Sequence, residues 1–304
     1  MYSLSTCWNS QRHTDGRAML QEIREMGFEY AELSHGIRIS LLPGIFEAVD
    51  AGEMKISTLH NFCPLPMGIN HAAPNIFKFT SDDRRERENA WRHTLKTLET
   101  AERVKAKLVV LHMGQIEMRD YTDKLIEMVA DSMKDSPKYE KLCTEVMEKR
   151  ESKKERYVEL ANEMLKRAEQ EAARRGLMLG IENREALEEI PLDSDFMFFF
   201  RDFPGKTVRY WHDTGHAQIK HNLGFIDHAI HLETMAEHLA GFHLHDVEFP
   251  GRDHCAPGTG TVDFAALRPF VKPEHIKVFE MSPGLSAEQV RAGIDHLKKI
   301  WGEE

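Results

Sequence analysis

Apolar residues recur along the chain in two rhythms. Short, nearly continuous apolar runs bounded by Gly, Pro, Asn or Asp alternate with longer segments in which apolar residues return every three or four positions. The first rhythm predicts strands and the second amphipathic helices. Strands are expected at residues 2–8, 30–34, 55–62, 108–113, 177–183, 208–211, 240–247 and 276–281. Helices are expected at 14–26, 42–51, 83–104, 157–175, 226–239, 264–271 and 286–300. Gly27 follows the first helix as a C-terminal stop, and Ser286 with Glu288 opens the last.

Two stretches break the rhythm. Residues 63–80 are rich in Pro, Gly and Asn and read as a long loop, whose prolines Pro64, Pro66 and Pro74 suit a formed wall over a pocket. Residues 115–176 are long, highly charged and helical in pattern. Pro137 and the charge run at 148–156 are expected to divide them into at least two helices, with the charge run as a solvated face.

Strands alternating with helices imply a parallel sheet. Eight such units in about 250 residues plus an excursion match an α/β fold of the (β/α)8 TIM barrel type. The expectation is a single domain over residues 1–304, with a helical insertion after strand four at about 115–156. An open doubly wound sheet is the alternative, but no GxGxxG motif follows the first strand.

Composition narrows the partners. The 304 residues carry 40 Lys plus Arg against 50 Asp plus Glu, a formal net charge of -10. That balance argues against nucleic acid or an anionic membrane surface, both of which call for basic patches. No apolar run approaches the roughly 18 to 20 residues needed to span a bilayer. The N-terminal MYSLSTCWNS lacks the basic and apolar regions of a signal peptide, and Cys7, Cys63, Cys143 and Cys255 form no CxxC pair. A cytoplasmic protein is expected, with homo-oligomerisation left open.

The chemistry collects at strand ends. Strand two offers Glu32 and then His35, strand three His60, strand four His112, and strand five Glu182. Strand six delivers Asp213 with His216, strand seven His243, His245 and Asp246, and strand eight Glu280. A lone histidine after a strand is usually a structural one. In a barrel, however, all these tips converge on one face, and so many buried carboxylates and imidazoles require a cation or a network to pair them. Oxygen and imidazole ligands suit zinc, manganese, cobalt or magnesium.

These motifs resemble the sugar phosphate isomerase/epimerase superfamily with the xylose isomerase-like TIM barrel, which includes ketose 3-epimerases, inosose dehydratases and endonuclease IV. The resemblance is carried by IEN at 181–183, DTGHA at 213–217, FHLHDV at 242–247, HCAPGTGTVDF at 254–264 and FEMSP at 279–283. LHMG at 111–114 and the helix opening at Ser81 also fit. It implies one divalent metal ion held by Glu182, Asp213, His243 and Glu280, with Glu182 and Glu280 as the proton-transfer pair. His216 is implied to touch substrate or a second metal, and His60 and His112 to serve substrate hydroxyls. His245, Arg252 and His254 complete the expected substrate-binding set, with Arg184 and Arg252 as the basic residues that a phosphate would call for.

The implied activity is a metal-dependent isomerase or epimerase on a small sugar, ketose or polyol. A dehydratase acting on a cyclic polyol with the same site is the alternative. The endonuclease-like members carry an Asp two residues before the last His. Here that position is Arg252, with Asp253 shifted by one, which argues against abasic DNA as substrate. A sugar-binding barrel without catalysis would keep the fold but not need the whole set.

Overall fold

The short apolar runs form eight parallel strands that close on themselves. The computed structural model describes residues 1–69 and 71–302. The barrel strands are β1 (Tyr2–Ser5), β2 (Tyr30–Leu33), β3 (Lys55–His60), β4 (Leu108–Leu111), β5 (Met178–Glu182), β6 (Val208–Asp213), β7 (Leu239–Leu244) and β10 (Ile276–Phe279). Each pairs with its neighbour in chain order, and β10 closes the ring against β1. Around them lie α1 (Gly16–Glu25), α2 (Leu42–Asp50), α3 (Arg84–Arg103), α4 (Thr122–Ala130), α5 (Pro137–Arg174) and α6 (Phe196–Asp202). The ring continues with α7 (Thr214–Leu223), α8 (His228–Met235), α9 (Phe264–Leu267) and α10 (Ala287–Trp301). This is the (β/α)8 TIM barrel expected from the pattern. Among the described residues no helix is long and apolar enough to cross a membrane.

Period-two alternation sorts each strand between two cores. Val109, Leu111, Leu179, Ile181, Tyr210, Phe242 and Phe279 belong to the large core shared with the helices. Their alternates Leu108, Val110, Trp211, Ile276 and Val278 form a separate small cluster, the plug inside the barrel. Trp211 fills that plug because its neighbour on β7 is Gly241. A Cβ there would lie 2.5 Å from the indole ring. The plug therefore ends in an indole face, on which the polar layer rests.

Four features depart from the pattern. The charge run at 148–156 does not break a helix: α5 runs unbroken through 38 residues, starting at Pro137. Glu, Lys and Arg are good helix formers, and neither Gly nor Pro interrupts the run. Nor is the run wholly solvated, because Arg150 is fully buried. The aromatic cluster near residue 198 folds as α6, where no helix was expected. Residues 214–223, which include the Thr-Gly pair after strand six, form α7, where no helix was expected. Last, β7 stops at Leu244, and β8 (Asp246–Glu248) pairs antiparallel with β9 (Arg252–Cys255) as a hairpin above the barrel.

Behind β6 lies a buried polar chain. The Tyr210 hydroxyl is 2.8 Å from His212 Nδ1 and 2.7 Å from His231 Nε2, and His212 Nε2 is 3.0 Å from His228 Nε2. His228 Nδ1 lies 2.9 Å from Gln218 Oε1, which fixes it as a donor and leaves Nε2 to accept from His212. The rings are thus neutral. Burial, aided by His231, pushes His228 down to about 3. Burial likewise pushes His231 down to about 4, against the pull of Asp193.

An unfolded histidine titrates near 6.5. The unfolded chain therefore gains protons that these rings refuse, and their contribution to stability is lost as pH falls from about 6.5 towards 4. Urea unfolding with chelator present is expected to show a less negative change of midpoint from pH 7 to pH 5 in His231→Gln than in the wild type. Equal changes in the two proteins would assign the acid response to other groups.

Candidate active site

Each strand that ends in the polar layer delivers one titratable side chain to the same end of the barrel. His243 stands at its centre, fully buried, edge-on to Trp211 with ring centroids 5.1 Å apart. Its Nδ1 is 2.6 Å from Glu182 Oε1, 3.0 Å from Glu280 Oε2 and 3.8 Å from Asp213 Oδ2. Its Nε2 is 3.0 Å from Glu32 Oε2, which also accepts from Thr58 Oγ1 at 2.8 Å. Asp213 and His243 are paired in register across β6 and β7, so their side chains leave the sheet at one level.

Four carboxylates thus surround one imidazole. A single N–H at Nδ1 cannot satisfy three carboxylates. The charges respond accordingly. Burial lowers the basicity of His243, but Glu280 and Glu32 outweigh it and hold the imidazole well above its usual range. Burial likewise raises Glu280 and Asp213. His243 and His254 overcome this at Glu280, and His216 and His245 at Asp213, so both carboxyls titrate well below the ordinary range.

Glu182 is gripped from its other oxygen. Oε2 lies 2.6 Å from Arg184 Nη1, 2.9 Å from His112 Nε2 and 3.9 Å from His60 Nε2. Burial pushes its carboxyl up, and Arg184 with His112 and His243 pulls it well below the usual value. His112 is itself oriented by Asn75, whose Oδ1 is 2.8 Å from Nδ1.

Asp213 has two roles. Its Oδ1 accepts the His216 amide at 2.7 Å and so caps α7, while Oδ2 faces His245 Nε2 at 3.0 Å. His245 Nδ1 accepts the amide of His254 at 2.9 Å, which leaves the ring proton on Nε2 and aims it at Asp213. The rings of His245 and His254 stack at 4.3 Å. His254 adopts a left-handed φ of 55°, a sparsely populated conformation for a residue with a side chain.

A cavity of about 420 Å³ opens above this layer. His35, His60, His112, His216 and His254 reach it, as do Glu182 and Glu280. Ala72, Pro74 and Asn75 of the 63–80 segment line one side, as the wall reading expected, although position 70 of that segment lies outside the described residues. Glu185 and Asp253 stand at the cavity beside His216.

Not every expected residue faces the cavity. Arg252 pairs with Glu248 across the β8–β9 hairpin, largely exposed, and lines a neighbouring cleft instead. The hairpin, invisible in the pattern, turns it outward. His245 is sealed beneath the cavity as the partner of Asp213. Asp246 turns away altogether: its carboxylate accepts the amides of Val247, Gly258, Gly260 and Val262 and ties down the turn that follows His254.

Conversely, Thr58, Asn75, Glu185, Glu189 and Asp253 belong to the site or its supports without having been assigned to it. Only a strand or loop position, shared with dozens of other residues, could have pointed to them.

A family model described as xylose isomerase-like TIM barrel matches residues 20–300. Many solved structures are similar, among them three that match over almost the whole chain. A D-tagatose 3-epimerase-like protein is 16% identical over 99% of this chain and 98% of its own, with a TM-score of 0.70. The 3-keto-D-glucoside 4-epimerase of E. coli in its apo form is 16% identical over 98% of each chain, with a TM-score of 0.66. An L-ribulose 3-epimerase is 13% identical over 98% of this chain and 95% of its own, with a TM-score of 0.69. At such identities the likeness is one of fold. No curated protein sequence matches the chain.

The glycine of DTGHA explains how closely the site is built. A Cβ on Gly215 would lie 2.1 Å from His245 Cε1. Gly215→Ala is therefore expected to push His245 away from Asp213 and to cost about 1 to 3 kcal/mol through overpacking. Chemical denaturation measures the loss, and the shift of the His245 ring signals in NMR locates it. An unchanged His245 spectrum would refute the fit.

Proposed function

The chain belongs to the xylose isomerase-like TIM barrel family, and from that premise we propose a metal-dependent isomerase or epimerase of a small sugar, ketose or polyol. The observation that carries this reading is the buried group of Glu182, Asp213, His243 and Glu280. One ligand atom from each lies within 4.8 Å of all the others. Three carboxylate oxygens and one imidazole nitrogen, short of positive charge, fit a divalent cation such as manganese, zinc, cobalt or magnesium. When bound, the cation would supply Lewis-acid polarisation of substrate oxygens.

The chain's own residues supply the rest. Glu32 orients His243 from behind, and Thr58 orients Glu32. Arg184 holds Glu182 Oε2 at the cavity. Glu182 and Glu280, on strands separated by β6 and β7, take and return a proton at the carbon next to the substrate carbonyl through their carboxylate oxygens. His60, His112 and His216 offer ring nitrogens to hydroxyls. The similar structures named as D-tagatose 3-epimerase-like protein and L-ribulose 3-epimerase support a ketose. A phosphodiesterase is disfavoured, because Glu185 and Asp253 place carboxylates at the cavity and Arg252 faces elsewhere. The four cysteines are free, in keeping with a cytoplasmic enzyme.

Metal analysis after dialysis against manganese is expected to give one ion per chain in the wild type and a large loss in His243→Ala. Equal uptake by both would remove the basis of this reading. Incubation of the metallated protein with a ketose panel in deuterated water is expected to label the carbon next to the carbonyl. Glu182→Gln and Glu280→Gln, with occupancy matched, are each expected to slow that exchange by roughly 100- to 10,000-fold. Near wild-type exchange in either variant would take the base role from that glutamate.

A further inference from the structure

The helical excursion between β4 and β5 is tied to the site through one buried arginine. Arg150, in the N-terminal half of α5, donates from Nη1 to the carbonyls of Leu187 at 2.7 Å and Glu189 at 2.8 Å, and from Nη2 to Asp195 Oδ2 at 2.7 Å. It thereby fixes the backbone of the segment between β5 and α6. Glu189 then turns inward, and its Oε1 accepts from Arg184 Nε at 3.0 Å. Arg184 Nη1 donates in turn to Glu182 Oε2 at 2.6 Å. All four side chains are buried. Glu189 and Glu182 hold opposite sides of one guanidinium, so the position of Glu189 decides how much of Arg184 is left for Glu182.

We propose that Arg150 is a positioning residue for the site: through the backbone of Glu189 it sets Arg184, and through Arg184 it sets the carboxylate of Glu182. The consequence for cation binding rests on the reading of Glu182 as a ligand, whereas the relay itself does not. Once Glu189 moves or loses its charge, Arg184 is free to close fully on Glu182 and compete for its oxygens. A charge-assisted hydrogen bond is worth enough to change affinity about tenfold or more.

Two measurements on the full-length protein test this. One is hydrogen exchange at the Arg184 Nε–H by NMR, and the other is manganese titration. Arg150→Met and Glu189→Gln are each expected to speed the exchange at least about tenfold and to weaken manganese binding by a similar factor. If Arg150→Met fails to fold, Arg150→Lys, which keeps a cation for Asp195 but loses the fork to the two carbonyls, takes its place with the same expected direction.

Tyr139→Phe removes a different anchor of α5, the hydroxyl that donates to the Leu223 carbonyl at 2.7 Å. It is expected to lower the melting temperature while leaving exchange and affinity unchanged. Wild-type protection of Arg184 in the Arg150 variant, or the same losses in Tyr139→Phe, would overturn the proposal. If the wild type binds no manganese, the metal reading fails and the exchange measurement alone decides the relay.

Discussion

Four carboxylates buried around one imidazole, at the end of a closed barrel, form the constraint to which the surrounding structure answers. Burying even one unpaired carboxylate costs several kcal/mol, and Glu32, Glu182, Asp213 and Glu280 are all nearly inaccessible. Each has a specific partner beyond His243. Thr58 serves Glu32, Arg184 serves Glu182, His245 serves Asp213, and His254 approaches Glu280. A cluster so provided for brings Glu182, Asp213, His243 and Glu280 within reach of one another, the arrangement on which the proposed cation site rests.

The barrel makes this arrangement mechanically firm. Trp211 closes the interior beneath His243, and the parallel register sets Asp213 beside His243. Asp213 shows how economically the layer is made: one of its oxygens caps α7 and the other holds His245. A capping role and a site role are therefore not alternatives at this position. The backbone amide that anchors His245 belongs to His254, so the hairpin loop and the strand-six tip are coupled through one ring.

The excursion after β4 contributes a second layer of order. Its small apolar cluster joins Tyr121, Leu125 and Val146 to Leu187, Leu192 and Ile219, so the segment leading away from Glu182 is packed from outside as well as within. Thr122 and Glu188 add hydrogen bonds on the same segment, with the Thr122 hydroxyl donating at 2.7 Å.

Much of this was legible in the chain alone. Alternating short apolar runs and helical periods determined the eight units, because a parallel strand buried on both sides must be apolar throughout and its crossover helix must be amphipathic. The polar residues that end these runs marked the candidates, and the family resemblance singled out Glu182, Asp213, His243 and Glu280 among them as the implied ligands. What local pattern could not carry was contact between distant segments. Whether Arg150 is solvated or buried depends on carbonyls 37 and 39 residues away. Whether Arg252 faces the cavity depends on a hairpin whose pairing partner is Glu248. Whether His245 is a ligand or a support depends on a ring stacked on it from the next loop. Periodicity reports how a residue relates to its own helix or strand. Only the closed tertiary structure decides which buried charge each side chain meets, and with it which residues act and which hold them in place.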